Sequence, residues 1–402
     1  MVFKRAKIFI LIFIAIFVFY FTSDFALLNI EKTAFIVSLG IDKVEDEYSV
    51  TAQIAVPETS IGQSSNDESV ITANGKTLYS AVTKIGEMTG WYPKLSFCNL
   101  IILGESMLSE NVFSVIDFFI RSYKVEDSAI LCACYGLAKE VLLSHSPLDN
   151  ISGLSLAKIF VRDYNGASKI LTTSIKEFSI GYYSRSESAF MPKVKTIETD
   201  VDSKSGEQSA STLSEPSSGS ANEQEGKKAP VIYDASTSLF FAKGVAKGEL
   251  LGDEALCFSL TMRNAKDSYI SVNSVNDDGK RGNFLFGIEK VQSQKYLTFD
   301  GLEPTLNVNL NVWLSIIDTN LPENIDSVSN LGEMTDKMLY DCKTHIESTL
   351  LSVFEKSKSS GCDLFKIKNE AYRRHNSIYK KASSTMLDEC KLKLNVNCIN
   401  NV

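Results

Sequence analysis

Residues 8–21 read IFILIFIAIFVFYF, an unbroken apolar run. A helix buried in a soluble core keeps a polar face at the helical period, and this run has none. Lys4, Arg5 and Lys7 precede it, and Tyr20, Phe21, Thr22, Ser23 and Asp24 span its end. That end has no small-x-small pattern for a signal peptidase. Of the two membrane readings, a cleaved signal peptide and an uncleaved anchor, the pattern favours an uncleaved membrane anchor within residues 1–29. Spanning takes about 17–25 residues, so the span would take in Thr22 and Ser23. The basic residues would keep the N-terminus inside and send the rest of the chain outside.

Beyond the run, the hydrophobic period changes to two. Tyr48, Val50, Ala52, Ile54 and Val56 alternate with Ser49, Thr51, Gln53 and Ala55. This predicts a strand with one buried face. With residues 33–42 it forms an antiparallel hairpin across the acidic turn Glu45, Asp46 and Glu47, ended by Pro57. Residues 60–74 are polar and Ser-rich and predict a loop. Residues 77–89 carry Leu78, Val82, Ile85 and Met88 on one helical stripe. Buried strands are expected at 97–103 and 129–135, and helices at 112–120, 138–143, 154–161 and 170–180. Strands alternating with helices predict an α/β domain over residues 30–197.

Residues 200–228, DVDSKSGEQSASTLSEPSSGSANEQEGKK, are almost free of large apolar side chains. Such a segment cannot bury enough surface to offset its ordering entropy, so residues 198–230 predict a disordered Ser-rich acidic linker. The pattern then resumes. Strands are expected at 236–246 and 255–262 around a turn at 248–252, and at 268–275 and 284–291, with a turn at 277–279. Residues 306–317 alternate, with Leu306, Val308, Leu310, Val312, Leu314 and Ile316 on one face. Helices over 330–358 and 363–387 and a strand at 391–398 complete an α+β domain over residues 231–402. The chain as a whole is α+β: multidomain, with mixed α/β and antiparallel-sheet domains after the N-terminal membrane anchor.

Composition adds exclusions. The chain has 402 residues, 44% hydrophobic and 22% charged, so it can bury a sizeable core. Its net charge of −8 argues against nucleic acid as a partner. Eight cysteines are too sparse for a disulfide framework, and no C-x-x-C exists. They read as small buried hydrophobes, with Cys132 and Cys134 on one strand face and a Cys390–Cys398 bridge left open. The three histidines, His145, His345 and His375, have no zinc spacing, and His345 and His375 read as solvated on charged helix faces. Nucleophile-elbow and phosphate-loop patterns are missing. Trp91 and Tyr92 before Pro93 read either as the lining of a ligand pocket or, more commonly, as local packing. No catalytic, cofactor-binding or metal residue is assigned, and an enzyme is not expected.

Several stretches share an order with one family. TAFIVSLGIDKVEDEYSVTAQIAVP, residues 33–57, carries a G-I-D at Gly40, Ile41 and Asp42. Residues 95–136 place Gly104, Glu105, Asp117, Phe118 and Arg121 in a second motif. SAFMPKVKTI at 188–197, FFAKGVAKGELLGDEAL at 240–256, LNVNLNVWLSI at 306–316 and CDLFKI at 362–367 follow in the same order. Together they resemble the Ger(x)C family, the C subunits of nutrient germinant receptors in spore-forming bacteria. The resemblance implies a non-catalytic subunit without cofactors. It would act in spore germination and nutrient sensing beside two integral membrane partners, an A-type subunit and a transporter-like B-type subunit. It would sit at the spore inner membrane with its folded domains on the extracytoplasmic side.

Three features depart from the family. Typical members are lipoproteins, whereas no cysteine here precedes Cys98. The acidic insertion between the halves is the second departure. The third is the partial C-terminal pattern at Tyr372, Arg373 and Arg374. Two other readings compete. An extracytoplasmic solute-binding protein requires a cleft between two similar lobes, and a surface hydrolase requires a nucleophile–base pair.

Overall fold

The computed structural model describes residues 12–14, 16–17, 33–55, 69–123, 125–144, 146, 151–160, 169–198, 231–262, 268–276, 279–320 and 334–401. The expected anchor lies outside them, apart from Ile12–Ile14, Ile16 and Phe17, which are helical and exposed. Among the described residues no helix is long and apolar enough to cross a membrane. The expected linker, apart from Glu198, and His145 also lie outside the described residues.

Strands β1 (Thr33–Val44) and β2 (Glu47–Ala55) form the expected antiparallel hairpin. Residues 69–74, expected as loop, belong to a third strand, β3 (Ser69–Gly75), on the outer side of β2. Covering by helices on both sides explains why β2 is buried on both faces instead of one. The polar face is satisfied internally. The Gln53 amide donates to Ser152 Oγ at 3.1 Å, and Gln53 Oε1 accepts from the Gly153 N–H at 2.9 Å. Helix α1 (Leu78–Thr89) starts on a Thr77–Ser80 capping box and ends at Gly90 in the left-handed region.

The chain then runs β4 (Tyr92–Lys94), β5 (Leu100–Leu103), α2 (Val112–Tyr123), β6 (Ile130–Cys134), α3 (Ala138–Leu143), α4 (Ser152–Phe160), β7 (Thr173–Ser174), α5 (Ile175–Tyr183) and β8 (Ser188–Glu198); β5, β6 and the helices lie near their expected places, whereas β4, β7 and β8 are additional strands and residues 170–174, expected as helix, precede α5. Residues 231–251, which the pattern assigns to the C-terminal domain, form β9 (Val231–Ala242) and β10 (Val245–Leu251) and extend this same sheet. Among the described residues the sheet has ten strands in the order β10-β9-β8-β6-β5-β1-β2-β3, with β4 beside β1 and β7 beside β6. Strands β1, β5, β6 and β8 are parallel neighbours. One face packs Leu39, Ile41 and Ile101 against Val82, Ile85, Ile116, Phe119 and Phe178 of α1, α2 and α5. The other packs Leu100, Ile102, Cys132 and Cys134 against Val141, Leu142, Leu156 and Phe160 of α3 and α4.

Residues 255–262, expected as a strand, lie almost wholly in helix α6 (Gly252–Thr261). Every residue from Ala255 to Thr261 is buried, so the stretch carries no period to separate helix from strand. Its start shows the difference: Glu254 accepts from the Leu251 N–H at 3.1 Å, closing the first turn. The turn expected at 248–252 falls mostly on β10, and the chain reverses instead at Lys243 and Gly244, both with positive φ.

The second sheet is β11 (Ser268–Val275), β12 (Arg281–Asp300), β13 (Glu303–Thr319) and β14 (Lys391–Asn400), in that order. It is not purely antiparallel, because β14 runs parallel to β13. A parallel return needs a crossover, and helix α7 (Asp336–Ser359) supplies it. The helix expected over 363–387 is broken into α8 (Ile367–Arg374) and α9 (Asn376–Ala382) at His375, whose φ is −133°. The core beneath joins Phe286, Leu310 and Val312 to Ile346, Leu350 and Phe354 of α7. Strand β9 links the two cores: Leu239 and Phe241 enter the first, and Phe240 enters the second.

All eight cysteines are free, and seven are buried. Cys390 and Cys398 are not bridged. Burial pushes the thiol of Cys98 up to about 12, which keeps it inert at neutral pH.

Candidate functional site

The family motifs of the first half meet at the carboxyl ends of β1, β5 and β6. Helix α3 lacks a side-chain cap of its own, since its N-cap residue is Leu137. Asp42 fills the role from the end of β1. Its carboxylate accepts from the Ala138 N–H at 2.8 Å and the Lys139 N–H at 3.0 Å. The free N–H groups of a helix start favour such an anion. Burial raises the Asp42 carboxyl, and those two backbone bonds oppose the rise. Gly104 lies against the same group, and a Cβ there would overlap Asp42 Oδ1.

Glu105 follows at once. Its N–H donates to the Gly136 carbonyl at 2.9 Å, and its carboxylate accepts from the Gly136 N–H at 3.3 Å. The buried Lys193 of β8 donates to Glu105 at 3.3 Å and to Glu249 at 2.8 Å, with its ammonium 3.7 Å from the Tyr135 ring centre. Burial lowers the Lys193 ammonium, and the Glu249 and Glu105 hydrogen bonds more than offset it. Open α/β sheets commonly bind ligands at this edge. Here the carboxylates are engaged by backbone and by Lys193. Asp117 and Arg121 form an i,i+4 ion pair on the surface of α2 at 2.8 Å.

A second motif aspartate repeats the device. Asp363, 1% exposed, accepts from the Ile367 N–H and the Lys368 N–H, both at 2.8 Å, at the start of α8. Ser188 Oγ donates to the Asp363 carbonyl at 2.5 Å, Cys362 Sγ donates to the Phe241 carbonyl at 3.1 Å, and the Asn369 N–H donates to Ser186 Oγ at 3.2 Å. The CDLFKI motif is thus the joint that fastens the second half to β8 and β9. Arg185 lies 4.7 Å from the Tyr372 ring centre, and Arg374 pairs with Glu370 at 2.7 Å.

Lys295 of β12 faces this joint. Burial pushes its ammonium down to about 8, the positive charge of Lys366 adds to the fall, and Asp363 and Glu370 oppose it. The unfolded chain therefore holds more protons between about 8 and 10.5, and stability from this group rises with pH across that window. Below pH 8 the penalty is fully present. Lys295→Met is expected to raise stability at pH 7 by about 2 kcal/mol, less than the full shift because the side chain is partly in water. The gain should vanish near pH 10.5. Urea unfolding of both proteins at pH 7 and pH 10 measures it, and an equal gain at both pH values refutes it.

The histidines are not merely solvated. His345 Nε2 lies 3.5 Å from Asp253 Oδ2, and the imidazole beside it holds that carboxyl below its ordinary range. His375 sits at the helix break against the Phe299 ring, with centroids 4.9 Å apart. Among the described residues, no three His, Cys, Asp or Glu side chains are grouped to hold a metal ion.

Trp91 and Tyr92 are surface residues instead of local packing, 41% and 54% exposed. With Tyr79, Thr83, Glu87 and Tyr123 they line an open hollow of about 630 Å³ between α1, β4 and the end of α2. Burial raises the Tyr123 phenol, and a hydrogen bond to Thr83 opposes it. Only Pro93 of the W-Y-P turn is buried, on the β4 side facing β1. The hollow offers aromatic faces and one carboxylate, which suits binding. The sequence signal was the aromatic pair before a proline; its exposure came from the fold.

Comparison with known proteins agrees across both halves. Residues 28–196 match the model described as spore germination protein N-terminal domain, and residues 236–402 match that described as spore germination B3/GerAC-like, C-terminal. Spore germination protein B3 of Bacillus subtilis (strain 168) is 31% identical over 124 residues, which is 30% of this chain and 33% of that protein. The chain therefore aligns with about a third of the length of this curated relative. In fold, the crystal structure of the GerBC protein superposes with a TM-score of 0.51 at 16% identity, over 90% of this chain and 97% of that one.

Proposed function

Because the chain belongs to the GerAC-like family of spore germination proteins, we propose that it is the C-type subunit of a nutrient germinant receptor. In this reading it is non-catalytic and is held at the spore inner membrane by the apolar run at residues 8–21. Its folded halves lie on the extracytoplasmic side. Its partners are an A-type and a transporter-like B-type membrane subunit.

The observation that carries the reading is the match of both family models, in order, to 28–196 and 236–402. Two features of the molecule support the non-catalytic part. The motif residues Asp42, Glu105 and Asp363 serve helix caps and ion pairs, and Gly104 leaves room for the Asp42 carboxylate. The exposed aromatic hollow is built for contact. A solute-binding protein would need two similar lobes, whereas among the described residues the two sheets have ten and four strands in unlike orders.

Spores lacking the gene are expected to lose dipicolinate release to one class of nutrient across a panel of amino acids and sugars, and to regain it with the intact gene. The tagged protein should co-purify from spore membranes with a transporter-like subunit. Normal release to every nutrient, together with no such partner, rules the reading out.

A further inference from the structure

The aromatic turn has a defined place in the molecule. Tyr92 of β4 lies directly opposite Thr33, the first residue of β1, and Lys94 lies opposite Phe35. The turn therefore lies beside the point where the chain enters the first sheet. Eleven residues, 22–32, separate that point from the end of the apolar run at Phe21. Fully extended, they reach at most about 40 Å. As a relaxed chain they reach about 20 Å. Whatever receives residues 8–21 is thus tethered close to the amino end of β1.

This end of β1 is unusual in what it presents. Trp91, Tyr92 and Phe97 are 41%, 54% and 53% exposed within seven residues of chain. They are held in place and not merely displayed. Pro93 is buried, Tyr92 and Lys94 pair with β1, and the Phe97 ring meets Phe35 edge-on at 5.4 Å. Leu95 and Cys98, which bracket Phe97, are each 1% exposed and anchor the turn in the core. Tryptophan and tyrosine favour the membrane–water interface, where the ring is in an apolar layer and the N–H or O–H stays wet. Lys94 lies 5.8 Å from the Phe97 ring centre, where its stem can follow the ring and its ammonium can reach headgroup phosphates.

We propose that the turn carrying Trp91, Tyr92 and Phe97 inserts into the interfacial layer of the bilayer that receives residues 8–21, and so sets the orientation of the folded body on the membrane. The proposal rests on the anchoring reading above. The apolar run ties the body to the membrane at one point, and the rigid turn supplies the second point that fixes its tilt.

The chain has two tryptophans, Trp91 and Trp313, so the insertion can be read directly. Full-length protein is reconstituted into phosphatidylcholine–phosphatidylglycerol vesicles, with or without lipids brominated near the top of the acyl chains. Flotation reports anchoring, and tryptophan quenching reports insertion. Wild type minus Trp91→Phe isolates the Trp91 signal, and Trp313→Phe checks it independently. The expected result is full flotation of all forms, roughly twofold quenching of Trp91 by brominated lipid, and no quenching of Trp313. Full flotation without Trp91 quenching overturns the proposal and leaves the anchoring reading standing. Failure to float overturns both. Trp91 unquenched by vesicles, yet shielded from aqueous acrylamide once membrane subunits co-purify, assigns the turn to a protein partner and overturns the membrane proposal.

Discussion

Asp42→Ala is expected to lower unfolding stability by about 2–4 kcal/mol. The change leaves the Ala138 and Lys139 N–H groups of α3 without their acceptor, in a buried setting that water does not reach freely. Ala138, Val141 and Leu142 of that helix lie in the core on one face of the first sheet, so loosening α3 also costs packing. Gly104→Ala is expected to cost a similar amount for the opposite reason, since its new Cβ would overlap Asp42 Oδ1. The two effects share one atom and should not add. In the Asp42→Ala background much of the Gly104→Ala penalty should vanish, giving a coupling of about 1–2 kcal/mol. Urea denaturation of the four proteins measures the cycle, and strict additivity would mean that the glycine is required for some other reason.

Asp363→Ala should be as costly, about 2–4 kcal/mol, and should differ in kind. It removes the acceptor for the Ile367 and Lys368 N–H groups and leaves Lys295 with one fewer compensating charge nearby. Since the same loop fastens to Ser188 and Phe241, the second half should loosen from the first. Hydrogen exchange is expected to speed up in α8 and along β8 and β9, while the α3 region stays protected. Asp363→Asn keeps one acceptor oxygen and should recover part of the loss. Combining Asp363→Ala with Lys295→Met should recover stability as well, because the lysine then no longer carries an uncompensated charge in the joint. Uniform exchange across both halves in the alanine variant would show that Asp363 supports the fold globally and not the joint.

Much of the architecture was legible in local pattern. The hairpin of β1 and β2, the strands β11, β13 and β14, and helices α1, α2, α3 and α7 lie close to where periodicity placed them. Each of these elements has one wet and one dry side, or is bounded by a clear cap or turn, such as Thr77 with Gly90 on α1. The errors came where that asymmetry disappears. Ala255 to Thr261 is buried on all sides, so nothing local separated helix from strand. Strand β2 lost its expected polar face because α4 came to sit on Gln53.

The ordered family motifs, the acidic chain without a recognisable catalytic pattern, and the apolar run were properties of the sequence alone, because each depends only on residue type and order. What those motifs do was decided by tertiary structure. Asp42 caps a helix that begins 96 residues later in the chain. Cys362 and Asp363 together hold strands more than a hundred residues earlier, through Phe241 and Ser188 respectively. The exposure of Trp91 and its place beside Thr33 follow from one short parallel pairing of β4 with β1. A local pattern reports which side chains prefer burial, but only the assembled sheet decides which backbone donors need an outside acceptor and which aromatic rings are left facing outward.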